Sequence, residues 1–183
     1  MKLLIASDIH GSAYYCRMLL DAFEKEQADR LLLLGDILYH GPRNDLPREY
    51  APKSVISMLN PLKNKIFCVR GNCDTEVDQM VLDFPLLADY AVIPVGNHII
   101  YATHGHIYNE GKLPPLCKGD ILLNGHTHVP KCVKHSEYIY MNCGSVSIPK
   151  ENSSHSYVIS ENGIFCWKNL ENGEIYNQFS IPE

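Results

Sequence analysis

Met1-Lys-Leu-Leu-Ile-Ala-Ser-Asp-Ile-His-Gly-Ser12 decides how this chain is read. Met1–Ala6 is an apolar run with the length of a buried strand. It ends in Ser7-Asp8-Ile9-His10-Gly11, where two metal-competent side chains stand two residues apart beside a glycine. The same event recurs down the chain. Arg30–Leu34 runs into Gly35-Asp36, and Lys65–Val69 into Gly71-Asn72-Cys73-Asp74. His98–Thr103 runs into His104-Gly105-His106, and Ile121–Leu123 into Gly125-His126-Thr127-His128. In open sheets, ligands bind at the carboxyl ends of strands, and glycine permits tight turns and close backbone approach there.

Working outward, the apolar stripe of Tyr15, Leu19, Ala22 and Phe23 predicts a helix over Ser12–Gln27. Asp36–Pro52 holds Gly41, Pro42, Pro47 and Pro52 and reads as a long loop. Pro52–Leu59 opens a second helix, and Thr75–Asp83 a short third one. Gly96-Asn97 predicts a hairpin between Ala91–Val95 and His98–Thr103. Lys131–His135 and Tyr138–Asn142 form another candidate pair. Asn162-Gly163 and Asn172-Gly173 link Ser156–Ser160, Gly163–Lys168 and Glu174–Ile181. The first half is therefore βαβαβ and the second mostly antiparallel meander. One mixed sheet, or two stacked sheets flanked by helices, accommodates this pattern.

The length, 183 residues, predicts a single domain over 1–183. With 45% apolar and 20% charged residues the composition is that of a globular protein, which excludes disorder as the main state. Lys and Arg number 16 against 21 Asp and Glu, a net charge of −5, which argues against long nucleic acids as partners. No apolar run is long enough to span a membrane, and Asp8 and His10 interrupt the start before a signal peptide develops. The seven cysteines are odd in number and include no Cys-x-x-Cys, so they read as reduced thiols of a cytoplasmic protein.

The strand ends together offer two carboxylates (Asp8, Asp36), one amide oxygen (Asn72) and four imidazoles (His10, His104, His126, His128). In an extended segment, residues i and i+2 face the same side, so Asp8/His10 and His126/His128 can each point into one pocket. One zinc takes about four ligands. Seven ligands with one shared carboxylate suit two divalent ions. Two carboxylates leave two of the four positive charges uncancelled, which favours an anionic substrate and a hydroxide nucleophile near neutral pH.

Asp8-x-His10, Gly35-Asp36, Gly71-Asn72, His104 and Gly125-His126-x-His128 resemble the five signature blocks of the calcineurin-like metallophosphoesterases. His40-Gly-Pro-Arg-Asn44, Gly71-Asn-Cys-Asp74 and Gly144-Ser-Val-Ser-Ile-Pro149 resemble the small bacterial YfcE-like phosphodiesterases of that family. The resemblance implies a four-layer αββα sandwich, two β-sheets flanked by helices. It implies that Asp8, His10 and His128 bind one metal, that Asn72, His104 and His126 bind a second, and that Asp36 bridges them. It suggests Mn²⁺, with Fe²⁺, Zn²⁺ or Ni²⁺ as alternatives. The implied reaction is hydrolysis of a small phosphodiester by a metal-bridging hydroxide, with Asp36 and Asn72 in the catalytic set.

The sequence departs from the family at Cys73, where many members carry a phosphate-facing histidine. A thiol is a weak donor without positive charge, so Cys73 is either a feeble catalytic donor or an inert filler, and Asp74 keeps no such partner. His106, two residues from His104, is either a catalytic donor to phosphate in the same pocket, a support for a ligand through a carbonyl, or a structural histidine. Arg43 is expected to clamp phosphate if its loop folds over the site. A phosphomonoesterase or phosphoprotein phosphatase is the rival enzyme, disfavoured by Cys73. A non-catalytic scaffold like the retromer subunit of this fold is the rival of another class. Exposed meander edges suggest a homodimer or higher homo-oligomer.

Overall fold

The short apolar runs become strands whose side chains alternate between two cores. The structure, a computed structural model, describes residues 1–181, so the last two residues of the expected domain lie outside the described ones. Strands β1 (Leu3–Ala6), β2 (Arg30–Leu33) and β3 (Ile66–Cys68) run parallel. Leu4, Ala6, Leu31 and Leu33 face helix α1 (Ala13–Lys25) and helix α2 (Pro52–Leu59), against Leu19, Phe23, Val55 and Leu59. Leu3, Ile5, Leu32 and Leu34 face the second sheet. A parallel sheet buried on both faces needs such unbroken apolar runs, and each buried Leu or Ile contributes about 1.5–3 kcal/mol. Ser12 caps α1, its Oγ accepting the Tyr15 N–H at 3.3 Å.

Helix α3 is one turn, Glu76–Gln79, shorter than the expected Thr75–Asp83. Residues 36–51 form no helix or strand, as their prolines predict. The second sheet holds β4 (Ala91–Val95), β5 (His98–Ala102), β6 (Asp120–Asn124), β7 (Lys131–Lys134) and β8 (Tyr138–Asn142), in the order β4-β5-β6-β8-β7. The β4–β5 and β7–β8 hairpins are antiparallel as expected. The second half is mostly antiparallel as expected, but its meander is interrupted, because β5, β6 and β8 are mutually parallel. The connection over residues 103–119 is too long for a hairpin and carries the chain back to restart in the same direction.

The last three strands, β9 (Ser156–Glu161), β10 (Ile164–Asn169) and β11 (Ile175–Ser180), do form a meander. It joins β1 of the first sheet, giving the order β11-β10-β9-β1-β2-β3. Trp167 of β10 is fully buried between the sheets and donates its Nε1–H to the Asn142 carbonyl at 2.7 Å. The architecture is two stacked mixed sheets flanked by helices. On the outer face of the second sheet, Tyr108 and Leu116 of the 103–119 connection cover Tyr101, Leu122 and Tyr140.

Candidate metal centre

The turns after β1, β2, β3, β5 and β6 meet at one edge of the stacked sheets. Backbone hydrogen bonds lace the first two together: Asp8 N–H to Gly35 O (3.1 Å), His10 N–H to Asp36 O (2.9 Å) and Gly11 N–H to Ile37 O (2.8 Å). The His126 N–H donates to Asp8 Oδ2 at 3.0 Å, joining the two sheets. Asp8, His10, Asp36, His126 and His128 have φ of 60, 48, 55, 65 and 63°. The extended geometry expected of Asp8/His10 and His126/His128 is therefore corrected. All four bend through the left-handed region, and both pairs reach the pocket by that route.

Seven side chains converge there. His10 Nε2 lies 3.5 Å from Asp8 Oδ1 and 3.3 Å from His128 Nε2, and His128 Nε2 lies 3.2 Å from Asp8 Oδ1. Around His104 Nε2 stand Asn72 Oδ1 at 3.1 Å, His126 Nδ1 at 3.2 Å and Asp36 Oδ2 at 3.4 Å. Asp36 Oδ2 is also 3.7 Å from His10 Nε2, so it stands between the two sets. Ligands about 2.1 Å from a shared ion are about 3.0–3.4 Å apart around it, close to these separations.

Hydrogen bonding makes the case sharper. His10 Nδ1 faces the Tyr39 carbonyl at 2.7 Å, His104 Nδ1 that of Leu34 at 2.7 Å and His128 Nδ1 that of Ile148 at 2.6 Å. A carbonyl only accepts, so each Nδ1 carries the proton, and in the neutral ring each Nε2 is a lone pair. Lone pairs of His10 and His128 then face one another and Asp8 Oδ1, a fully buried oxygen with no hydrogen-bond partner. Such a convergence of acceptors needs cations or extra protons. Burial alone would raise the Asp8 carboxyl, but the adjoining imidazoles of His10 and His128, with the charge of His104, hold it well below the usual carboxylate range. Burial alone would lower His104, yet the Asp36 hydrogen bond and the charges of Asp8 and Asp36 hold it at about 9. Burial and the neighbouring His104 push His126 down to about 4. The donor set fits divalent ions.

The supports were less visible in the sequence. Asp74 is buried and accepts three backbone N–H groups: Asp36 (2.8 Å) and Gly71 (2.7 Å) on Oδ2, Ile37 (2.9 Å) on Oδ1. It braces the Asp36 turn. Ser145 and Ser147 both donate their hydroxyls to the Asp8 carbonyl, at 3.0 and 2.9 Å, which gives the Gly144–Pro149 stretch its role.

A cleft of about 370 Å³ opens onto the cluster, lined by His10, Asp36, Asn72, His126 and His128. Arg43 lines it too, and so does Lys150, which sequence reasoning missed. The Lys150 N–H donates to the His128 carbonyl at 3.2 Å, a long-range contact that no local motif announces. Cys73 stands at the cleft wall with its N–H on Asp36 Oδ1 at 2.8 Å. Burial, with Asp36 beside it, pushes its thiol up, so it stays neutral. His106 adjoins His104, and neither is among the residues that line the cleft. Its ring packs 5.4 Å from that of His104 and 6.3 Å from that of His126.

Residues 1–162 match the family model of the calcineurin-like phosphoesterase superfamily domain. The chain is 42% identical over 181 residues to phosphodiesterase YfcE of Escherichia coli strain K12, covering 99% of this chain and 98% of YfcE. It matches the solved structure of the E. coli phosphoesterase YfcE with a TM-score of 0.96 over 100% of both chains. Zinc-complexed Vps29 of Entamoeba histolytica shares the fold, with a TM-score of 0.64 and 19% identity over 100% of both chains.

Proposed function

The chain belongs to the calcineurin-like phosphoesterase superfamily, and we propose that it is a phosphodiesterase that hydrolyses a small phosphodiester with two divalent metal ions. The observation that carries this reading is Asp36 Oδ2, 3.7 Å from His10 Nε2 on one side and 3.4 Å from His104 Nε2 on the other. Asp8, His10 and His128 would hold one ion, Asn72, His104 and His126 the other, and Asp36 both. The oxygen and imidazole donors suit Mn²⁺, the ion proposed, and also Fe²⁺, Zn²⁺ or Ni²⁺. When bound, such ions supply Lewis acidity toward phosphate oxygens and lower the pKa of water toward neutrality.

The chain's own residues bind and orient. Arg43 and Lys150 line the cleft and offset the phosphate's charge, Arg43 by a two-pronged clamp. Asn72 offers an amide beside the phosphate. Cys73, a neutral thiol, adds no cation, which favours a singly charged diester over a doubly charged monoester. His106 acts through the His104 and His126 rings against which it packs, as a positioning residue. The full-length likeness to a named phosphodiesterase supports the reaction class.

The seven free cysteines suit the reducing cytoplasm, and no described helix is long and apolar enough to cross a membrane. Strand β11, at a sheet edge and with Ile175 and Tyr176 exposed, is the edge through which we propose a homodimer. The test of function is hydrolysis of bis(p-nitrophenyl) phosphate by chelator-stripped protein, with and without Mn²⁺. Turnover restored by Mn²⁺ is expected. A folded protein carrying two ions and no turnover refutes the reading.

A further inference from the structure

Beside the cleft lies a second hollow of about 390 Å³, walled by Leu38, Tyr39, Tyr50, Ile56, Val77 and Val81. The two meet at Cys73, which lines both. Their chemistry differs. The cleft carries Arg43 and Lys150, whereas no Lys, Arg or His lines the hollow. Its one carboxylate, Asp78, is engaged locally, its Oδ2 accepting both the Thr75 N–H (2.7 Å) and the Thr75 hydroxyl (2.9 Å). Three of its side chains stay open to water. Val77 is 68% exposed, Tyr39 42% and Val81 41%. Exposed apolar side chains grouped around a concavity mark a binding surface. Tyr39 also fixes the hollow relative to the centre, since its carbonyl holds His10 Nδ1 at 2.7 Å.

From this juxtaposition we infer that the hollow holds one ester arm of the substrate, an uncharged apolar or aromatic group. The phosphate sits between the metal-ligand cluster and Arg43 and Lys150. The arm passes Cys73, whose neutral thiol presents no charge to it, and packs on Tyr39, Val77 and Val81. This inference rests on the phosphodiesterase reading and narrows its substrate class.

The test compares dimethyl phosphate with dibutyl phosphate, two slowly hydrolysed diesters of equal charge, by calorimetric binding to Mn²⁺-loaded protein. One butyl arm adds three methylenes over methyl, each worth about 0.8 kcal/mol on full burial, a ceiling of roughly sixtyfold in affinity. Dibutyl phosphate is expected to bind at least tenfold tighter. That preference is expected to fall at least threefold in Val77→Asn, an exposed position whose change leaves the fold intact, and likewise in Tyr39→Ser. A smaller preference, no binding of dibutyl phosphate, or a preference that persists in both variants overturns the inference. Turnover of bis(p-nitrophenyl) phosphate on the same sample keeps its failure separate from that of the phosphodiesterase reading.

Discussion

Asp74→Asn tests whether the Asp36 turn depends on its brace. The native carboxylate accepts three N–H groups, two of them on Oδ2. An asparagine with its oxygen in the Oδ2 place keeps Asp36 and Gly71 but turns an NH₂ toward the Ile37 N–H. One buried donor loses its acceptor, at a cost of about 1–3 kcal/mol. Asp36 shifts with its turn, and losing an outer partner of a metal ligand typically costs ten- to a hundredfold in metal affinity or activity. A second effect opposes the first in stability. Burial, joined by the charge of Asp36, raises the Asp74 carboxyl to about 6 from 3.8. A raised carboxyl favours the folded state fully below pH 3.8, and that stabilisation is lost as pH rises through about 6. The whole difference is about 3 kcal/mol, of which about 1.4 remains to be lost between pH 5 and pH 8. Asparagine does not titrate. The stability gap between wild type and variant should therefore narrow by about 1–1.5 kcal/mol over that interval. Urea unfolding of the metal-free proteins at pH 5 and pH 8 reads the gap, and the Mn²⁺ dependence of turnover reads the turn. A Mn²⁺ requirement within twofold of wild type, or a gap that does not change with pH, refutes the reasoning.

Three further outcomes follow from the same geometry. In Gly71→Ala the new Cβ would overlap Asp36 Oδ1 and its backbone nitrogen, so the variant should lose several kcal/mol of stability and nearly all turnover, read by thermal melting and by the diesterase assay. Mn²⁺ at about a hundred times its Kd should stabilise the stripped protein by about 2.7 kcal/mol, raising Tm by roughly 5–10 °C. A melting curve indifferent to Mn²⁺ would count against the seven-ligand cluster. Cys73→His restores a cationic donor at the cleft wall and should raise the rate on p-nitrophenyl phosphate relative to bis(p-nitrophenyl) phosphate. An unchanged ratio of the two rates would mean that position 73 does not face the phosphate.

Much of this was legible in the chain because each strand ends where its apolar run stops, and the ligand follows directly. Leu3–Ala6 and Arg30–Leu33 announce both their burial and the turn that carries Asp8 or Asp36. What an apolar run does not announce is its neighbour. Leu122 pairs in parallel with Tyr101 on one side and Tyr140 on the other, and nothing within Ile121–Leu123 says so. Asp74 and Lys150 were obscure for the same reason. Their partners, Ile37 and His128, are distant in sequence, and a hydrogen bond to a backbone amide or carbonyl leaves no mark on the partner's identity.

The backbone of the ligands shows why the motif takes the form it does. Five of the seven side chains sit on left-handed backbone, a conformation that costs about 1 kcal/mol or more in a residue other than glycine. Together they store roughly 5 kcal/mol, comparable with the entire stability of a small domain. All five are Asp or His, types enriched in that region and therefore among the least strained there. The residues that can ligate a metal are thus also residues that can make the turn. Offsetting the strain are the hydrogen bonds it permits: Asp8 to Gly35, His10 to Asp36, and His126 to Asp8 Oδ2. An extended chain would set Asp8 and His10 on one side of a strand but would carry the backbone onward past the pocket. The left-handed bends keep it curled around the ligand atoms instead, close enough for backbone carbonyls of Leu34, Tyr39 and Ile148 to hold the Nδ1 protons of His104, His10 and His128. Strain, tautomer and acceptor convergence are one arrangement, and its energetic cost is largest when nothing positive occupies the centre. Binding of the metals and stability of the fold are therefore coupled through the same left-handed turns.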